Sequence, residues 1–185
     1  RATGNWTSTY ALLVDLEGHG REEIFDNADT SRTVGWFTSQ YPVLLDVSDA
    51  RDMGESLAAV REQLRTVPHR GIGYGLLRYL RGDAKLVQRL RGQEQAEIRF
   101  NYLGQFDQLF AGTRFNVAPE SSGPAVSLRE QLPYLLEING RLIGGQLELS
   151  WRYSENAFTR EAIEALAADY SNELRGLLQH CREAA

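Results

Sequence analysis

Glu17-Gly18-His19-Gly20-Arg21-Glu22 places a carboxylate, an imidazole and a guanidinium within six residues. The hexapeptide directly follows an apolar run, Tyr10-Ala11-Leu12-Leu13-Val14-Asp15-Leu16, that reads as a strand. Glu17 is therefore delivered at the strand's end and followed at once by glycine, which lets the backbone turn sharply or approach a ligand closely. An acid on a rigid element beside a permissive loop suits proton chemistry. The same pattern also suits a strand that simply ends in a polar turn, so the rest of the chain has to decide.

The elements that would position these residues read as α+β. Residues 10–17 form one strand, and Val43-Leu44-Leu45-Asp46-Val47 a second, shorter one. Met53, Leu57, Val60 and Leu64 recur at helical spacing between Asp52 and Thr66, and Pro68 closes that helix. Further helix is expected from Tyr74 to Leu80 and from Ala84 to Leu90. Glu97 to Leu103 reads as a strand, with Asn101 and Tyr102 on opposite faces. Asp107 to Gln131 has little periodicity and reads as a long loop, a length that is uncommon unless functional or mobile. Asn139-Gly140, between Tyr134–Ile138 and Arg141–Tyr153, predicts a two-residue type I′ hairpin. Leu147, Leu149, Trp151 and Tyr153 then alternate with polar residues, giving one buried face. Thr159 is placed to cap a final helix whose stripe is Ile163, Leu166, Tyr170, Leu174 and Leu177, with Phe158 packing on Ile163. No linker divides residues 1–185, so a single lobe is expected.

Four motifs follow the hexapeptide in order. They are Arg32-Thr33-Val34-Gly35-Trp36-Phe37-Thr38, Tyr41-Pro42, Pro68-His69-Arg70-Gly71-Ile72-Gly73-Tyr74-Gly75 and Phe100-Asn101-Tyr102-Leu103-Gly104-Gln105. In this order and spacing the chain resembles the epimerization domains of nonribosomal peptide synthetases, within the condensation-domain superfamily. That family is about twice this length, and its earlier half carries a His-His-x-x-x-Asp-Gly motif. The histidines here are His19, His69 and His180, no two adjacent. The resemblance is therefore to the C-terminal lobe alone. It implies one lobe of a chloramphenicol-acetyltransferase-like fold, a mixed β-sheet covered by helices.

Epimerizing a thioester-bound amino acid requires a base within reach of Cα and donors for the enolate oxygen. The base must be partly desolvated, because an exposed carboxylate near its reference pKa of about 4.3 is too weak. The resemblance assigns the base to Glu17, facing a histidine of the other lobe across a tunnel, with Asn101 and Tyr102 lining that tunnel. It sets His19, Arg21 and Gly104 along the path of the substrate and its pantetheine arm. Read as residues alone, Asn101 and Tyr102 fit sheet packing with a satisfied hydroxyl better than a tunnel role, and His19 between two glycines suits a local backbone brace. Arg21 could fix its loop by pairing with Glu22 or another carboxylate. Trp36 and Phe37 are expected to pack the core. Gly71-Ile72-Gly73-Tyr74-Gly75 follows a helix and Pro68, not a strand, and so fails as a dinucleotide loop.

Composition narrows the class. With 185 residues, 42% of them hydrophobic, the chain can bury one substantial core. No apolar stretch approaches the roughly 18 residues of a membrane span, and no charged-then-apolar leader is seen, which favours a cytoplasmic protein. The single Cys181 precludes an internal disulfide, and with three scattered histidines it argues against a metal site. A net charge of −5 argues against general nucleic-acid binding. Between Arg61 and Arg91, however, eight basic residues face two acids, Glu62 and Asp83. That stretch is either a solvated helix face or a docking surface for an acidic partner or a phosphate. By resemblance the partners are the N-terminal lobe of the same domain, a peptidyl carrier domain and an adenylation domain in one antibiotic-type synthetase. No cofactor is bound directly, and phosphopantetheine arrives on the carrier. A condensation-domain lobe and a non-catalytic carrier-docking module are the competing readings.

Overall fold

The apolar run after Tyr10 becomes β1, Ala11–Gly18, and its neighbour becomes β2, Ser39–Asp46, longer than the five residues expected. The structure, a computed structural model, describes residues 1–22, 24–26, 29–107, 112–115, 118, 120, 123, 127 and 131–183. β3 spans Ile98–Gln105, β4 Leu136–Ile143 and β5 Gln146–Tyr153. The five strands form one mixed sheet in the order β2-β1-β3-β4-β5. β1–β3 and β3–β4 pair parallel, while β1–β2 and β4–β5 pair antiparallel. β2 is an edge strand, where Pro42 costs no shared ladder bond on its open side.

Alternation divides the sheet into two unlike faces. Ile98, Phe100, Leu136, Ile138, Trp151 and Tyr153 pack with Ile163 and Leu166 in the apolar core. The residues between them put a polar row on the other face, with Asp15 beside Arg99, Arg99 beside Glu137 and Glu137 beside Arg152. The core face is covered chiefly by the final helix, here α5, Arg160–Glu183. Thr159 caps it as expected, its Oγ1 accepting from the Ala162 N–H at 3.3 Å. Trp151 meets Tyr170 of that helix edge-on at 5.6 Å.

Among the described residues four shorter α-helices precede it, with a 3-10 turn at Pro68–Gly71 leading into the third. α1, Ala2–Thr7, shows no apolar period in the sequence and is held by packing, with Trp6 against Phe158 at 5.5 Å. α2, Met53–Arg65, begins at Asp52, whose carboxylate accepts from the Glu55 N–H. α3, Ile72–Gly75, runs on as a π-helical turn over Leu76–Leu80, beginning two residues before the expected start. α4, Ala84–Arg91, is capped by Asp83, which accepts from the Lys85 and Leu86 N–H groups. The loop expected from Asp107 to Gln131 falls largely outside the described residues.

The hairpin is where sequence and structure part. Asn139 and Gly140 lie inside β4, opposite Ser150 and Leu149, and the turn is Gly144-Gly145 instead. Both of those glycines have left-handed φ, 58° and 69°, as a type I′ turn requires. The carboxylate of Asp107 accepts their two N–H groups at 2.7 and 2.9 Å, which secures the turn. Gly140 is buried, and an added Cβ would lie 3.2 Å from Leu149 Cδ2 and 3.4 Å from Tyr102 Cδ2. Its smallness serves close packing, not a turn.

Candidate functional site

β1 carries Glu17 to the polar face, and three groups from two neighbouring strands converge on its carboxylate. Gln40 Nε2 of β2 donates to Oε1 at 2.9 Å, and Asn101 Nδ2 of β3 donates to Oε2 at 2.6 Å. Arg99 Nη1, also of β3, lies 3.2 Å from Oε1. The Glu17 side chain is 13% exposed. The carboxylate is thus largely removed from water yet opens to a cleft of about 420 Å³ lined by His19, Trp36, Thr38, Asn101 and Tyr102 among others. A fixed, mostly desolvated carboxylate beside a cleft can take up and release a proton at a defined position.

The loop after Glu17 forms the cleft's rim. His19 Nδ1 accepts from the Arg21 N–H at 3.0 Å, and His19 Nε2 lies 3.3 Å from Glu22 Oε1. Arg70 Nε approaches the other oxygen of Glu22 at 3.7 Å. His19 is therefore a brace for the loop backbone, although its ring stays exposed at the cleft. Gly20, at φ 65°, sits so close to the Phe37 carbonyl that an added Cβ would overlap it at 1.5 Å.

Arg21 fixes its loop, but not through a carboxylate. It donates to the carbonyls of Thr30, Thr33 and Gly35 at 2.6, 2.8 and 3.1 Å and stacks over Phe37 at 4.4 Å. A guanidinium offers five donors in a plane, which matches several carbonyls better than one acid would. This clamp also overturns the core placement expected for Trp36 and Phe37. Phe37 is held under Arg21 at the surface, and Trp36 is 83% exposed on the cleft wall.

Tyr102 borders the same cleft, its ring crossing Gly140, and its hydroxyl makes no hydrogen bond among the described residues. Gly104 lies at a bulge between Tyr102 and Gln105, at φ 87°. It is not among the residues lining the cleft around Glu17, whereas its neighbour Leu103 is. Asn101 and Tyr102 are thus brought to Glu17's cleft together with His19 and Arg21. Gln40, Arg99 and Trp36 belong to the site as well, and sequence reasoning did not select them for it. The signal for Arg99 was a charged residue between Ile98 and Phe100 in an otherwise apolar strand start.

Next to the cleft, Tyr134 donates to Asp15 Oδ2 at 2.6 Å beneath the Arg99 guanidinium, whose carbon lies 5.1 Å from the Tyr134 ring centre. Burial, and then the bond to Asp15, pushes the Tyr134 phenol well above the ordinary tyrosine range. Burial also raises Tyr41, with Glu22 adding to the effect and Arg70 opposing it. Among the described residues no group of three or more His, Cys, Asp or Glu is placed to hold a metal, and no helix is long and apolar enough to cross a membrane.

Comparison with known proteins shows the family. A family model described as the condensation domain matches residues 3–185. A linear gramicidin synthase of Brevibacillus parabrevis is 48% identical over 183 residues, covering 98% of this chain and 2% of that protein. The solved epimerization domain from the third module of tyrocidine synthetase B superposes with a TM-score of 0.86 at 38% identity, covering 97% of this chain and 40% of that one. The condensation domain of the Monacolin K polyketide synthase MokA shares the fold, with a TM-score of 0.63 at 18% identity over 94% of this chain and 38% of that one. The chain thus spans well under half of each of these solved domains.

Proposed function

The chain belongs to the condensation-domain family, and we propose that it is the C-terminal lobe of an epimerization domain in a nonribosomal peptide synthetase. The fold is one lobe of the chloramphenicol-acetyltransferase-like architecture, a mixed sheet with helices. The reaction is conversion of a carrier-bound L-aminoacyl or peptidyl thioester to its D-epimer. The observation that carries this reading is the Glu17 carboxylate, held by Asn101, Gln40 and Arg99 and turned toward the cleft.

In this mechanism Glu17 takes the Cα proton, and the electron pair of the broken C–H bond moves onto the thioester carbonyl to give an enolate. Tyr102, whose hydroxyl is unengaged among the described residues, donates to that oxygen or to the pantetheine arm. Return of a proton to the opposite face of Cα regenerates the thioester with inverted configuration. The second acid–base group is, by resemblance, the histidine of the N-terminal lobe. His19 and Arg21 shape the entry to the cleft, and Gly104 lies further along β3. The peptidyl carrier domain that delivers the thioester on its phosphopantetheine, and the adenylation domain that loads it, are the partners this reading requires.

The test is to incubate the intact parent synthetase with its carrier loaded with an L-amino acid, and to determine the configuration of the amino acid released from the thioester. D-product together with solvent deuterium at Cα supports the reading. A peptide bond formed with retained configuration points to a condensation domain. Carrier binding with neither product points to a docking module.

A further inference from the structure

Arg99 lies two residues before Asn101 on β3, so both side chains project on Glu17's side of the sheet. Its guanidinium stands between two carboxylates. Nη1 is 3.2 Å from Glu17 Oε1, and Nη2 is 2.9 Å from Glu137 Oε1. Glu137 is nearly inaccessible, its side chain 2% exposed, and its other oxygen lies 3.4 Å from Arg152 Nη1. From below, the Tyr134 ring supports the guanidinium at 5.1 Å, and Tyr134 is itself fixed by its bond to Asp15.

A carboxylate as deeply buried as Glu137 needs opposite charge beside it. Arg99 and Arg152 supply that charge from the strands on either side of β4. One arm of the Arg99 fork is thus committed to Glu137, and the planar guanidinium then aims its other arm at Glu17. A lysine ammonium has no such fork and cannot span both acids in a defined plane. The Arg99 contact with Glu137 Oε1 is not aligned as a hydrogen bond, so the grip is mainly ionic and set by the fixed planes of the partners.

We propose that Arg99 is a positioning residue for the reaction, holding the Glu17 carboxylate in register with the cleft while Glu137 and Tyr134 hold Arg99. The role rests on Glu17 acting as the base. It matters because displacement of a reacting group by about 1 Å can cost roughly a hundredfold in rate. A purely structural role, in which Arg99 only neutralises Glu137, is the alternative the experiment must separate.

The test uses the intact parent synthetase with an L-aminoacyl carrier, following exchange of the Cα proton with solvent deuterium. Arg99→Gln alone orphans Glu137 and risks misfolding, so the working variant pairs Arg99→Gln with Glu137→Gln and is checked by thermal unfolding. That pair should lower kcat by about a hundredfold with KM for the carrier unchanged. Arg99→Lys should keep the charge beside Glu137 and the fold without recovering the rate. Adding Glu17→Gln to the pair should cost no more than Glu17→Gln alone, because Arg99 acts through Glu17. Parental turnover by the pair, or by Arg99→Lys, while Glu17→Gln is slow reduces Arg99 to a structural neutraliser. Losses that multiply overturn the proposal in the same way. A Glu17→Gln variant with Arg99 intact that turns over normally removes the base assignment itself, and this proposal with it.

Discussion

Asn101 Nδ2 donates to Glu17 Oε2 across 2.6 Å, joining the end of β1 to a strand 84 residues further along the chain. An amide is the right holder for a working base. It donates a hydrogen bond but does not compete for the proton at ordinary pH. With Gln40 doing the same from the other neighbouring strand, the carboxylate is oriented between two neutral donors and one cation.

Glu17→Gln in the full-length parent keeps the shape of the side chain and an acceptor oxygen but removes the group proposed as the base. Positioned acid–base groups supply about 10²–10⁴ in rate, roughly 3–5 kcal/mol of barrier. A loss of that size is expected in turnover, with carrier binding and thermal stability close to those of the parent. Tyr102→Phe should cost less, since it removes a donor and not the base. Near-parental epimerization by Glu17→Gln would show that Glu17 is only a strand end.

Asn101→Asp replaces the neutral donor with a second acid in contact with Glu17. Two carboxylates sharing one site cannot both ionise freely, so one of the pair holds its proton to higher pH. The base then becomes available only as pH rises, so the acid limb of the pH–rate profile should move upward. An acid limb in the parent's position would mean that the Asn101–Glu17 contact is absent from the working enzyme.

Tyr134 gives a pH signature of stability. Burial and the bond to Asp15 favour its neutral form in the fold, raising its pKa above the ordinary 10.0. The stabilisation is therefore complete below pH 10 and is lost as the pH climbs from there toward the raised folded value. Denaturant unfolding across this alkaline range should show a steeper loss for the parent than for Tyr134→Phe, and phenolate absorbance should reveal one late-titrating tyrosine more in the parent. Parallel stability curves for the two proteins count against the Asp15–Tyr134 bond.

The basic stretch separates into two kinds of residue. Arg78 is half-buried and donates to the Tyr74 hydroxyl at 2.8 Å, so it belongs to local packing. Arg81 and Arg89 are exposed, as docking of an acidic carrier or its phosphate would require. Charge reversal at these two should slow carrier association at low salt, with the defect shrinking as screening tightens to roughly 8 Å at 0.15 M. An association rate unaffected at low salt returns the stretch to a solvated helix face.

The chain by itself should have no epimerase activity, because among the described residues Glu17 is the one acid–base group lining the cleft that is both fixed and largely buried. Isolated protein incubated with L-aminoacyl carrier in deuterium oxide is expected to leave Cα unlabelled. Measurable incorporation would refute the need for a second lobe.

Local signals carried much of the fold. The helical spacing from Met53 to Leu64 announces α2 and Thr159 announces α5, because periodicity and a side-chain cap both act over a few residues. The apolar run up to Leu16 announces β1, and the ordered motifs carry the family and, with it, Glu17, Asn101 and Tyr102. Asn139-Gly140 misled because a dipeptide's turn preference is a local quantity. β4 is paired on both sides, so extended pairing and the close approach of Leu149 and Tyr102 outweigh that preference. The turn moves to Gly144-Gly145, where Asp107 accepts its N–H groups. Trp36 misled because hydrophobicity predicts burial only when the backbone leads inward, and Arg21 ties that loop to the cleft's rim.

What the sequence by itself determined is most of the elements, α1 and the position of the β4–β5 turn excepted, and which acid stands at a strand's end. What only the tertiary structure decided is the row from Asp15 through Arg99 and Glu137 to Arg152, with Glu17 beside it. Those residues are scattered between positions 15 and 152. They become neighbours only when burial of the opposite, apolar face sets the register of four strands, since a slip of one residue would turn every one of them to the other side.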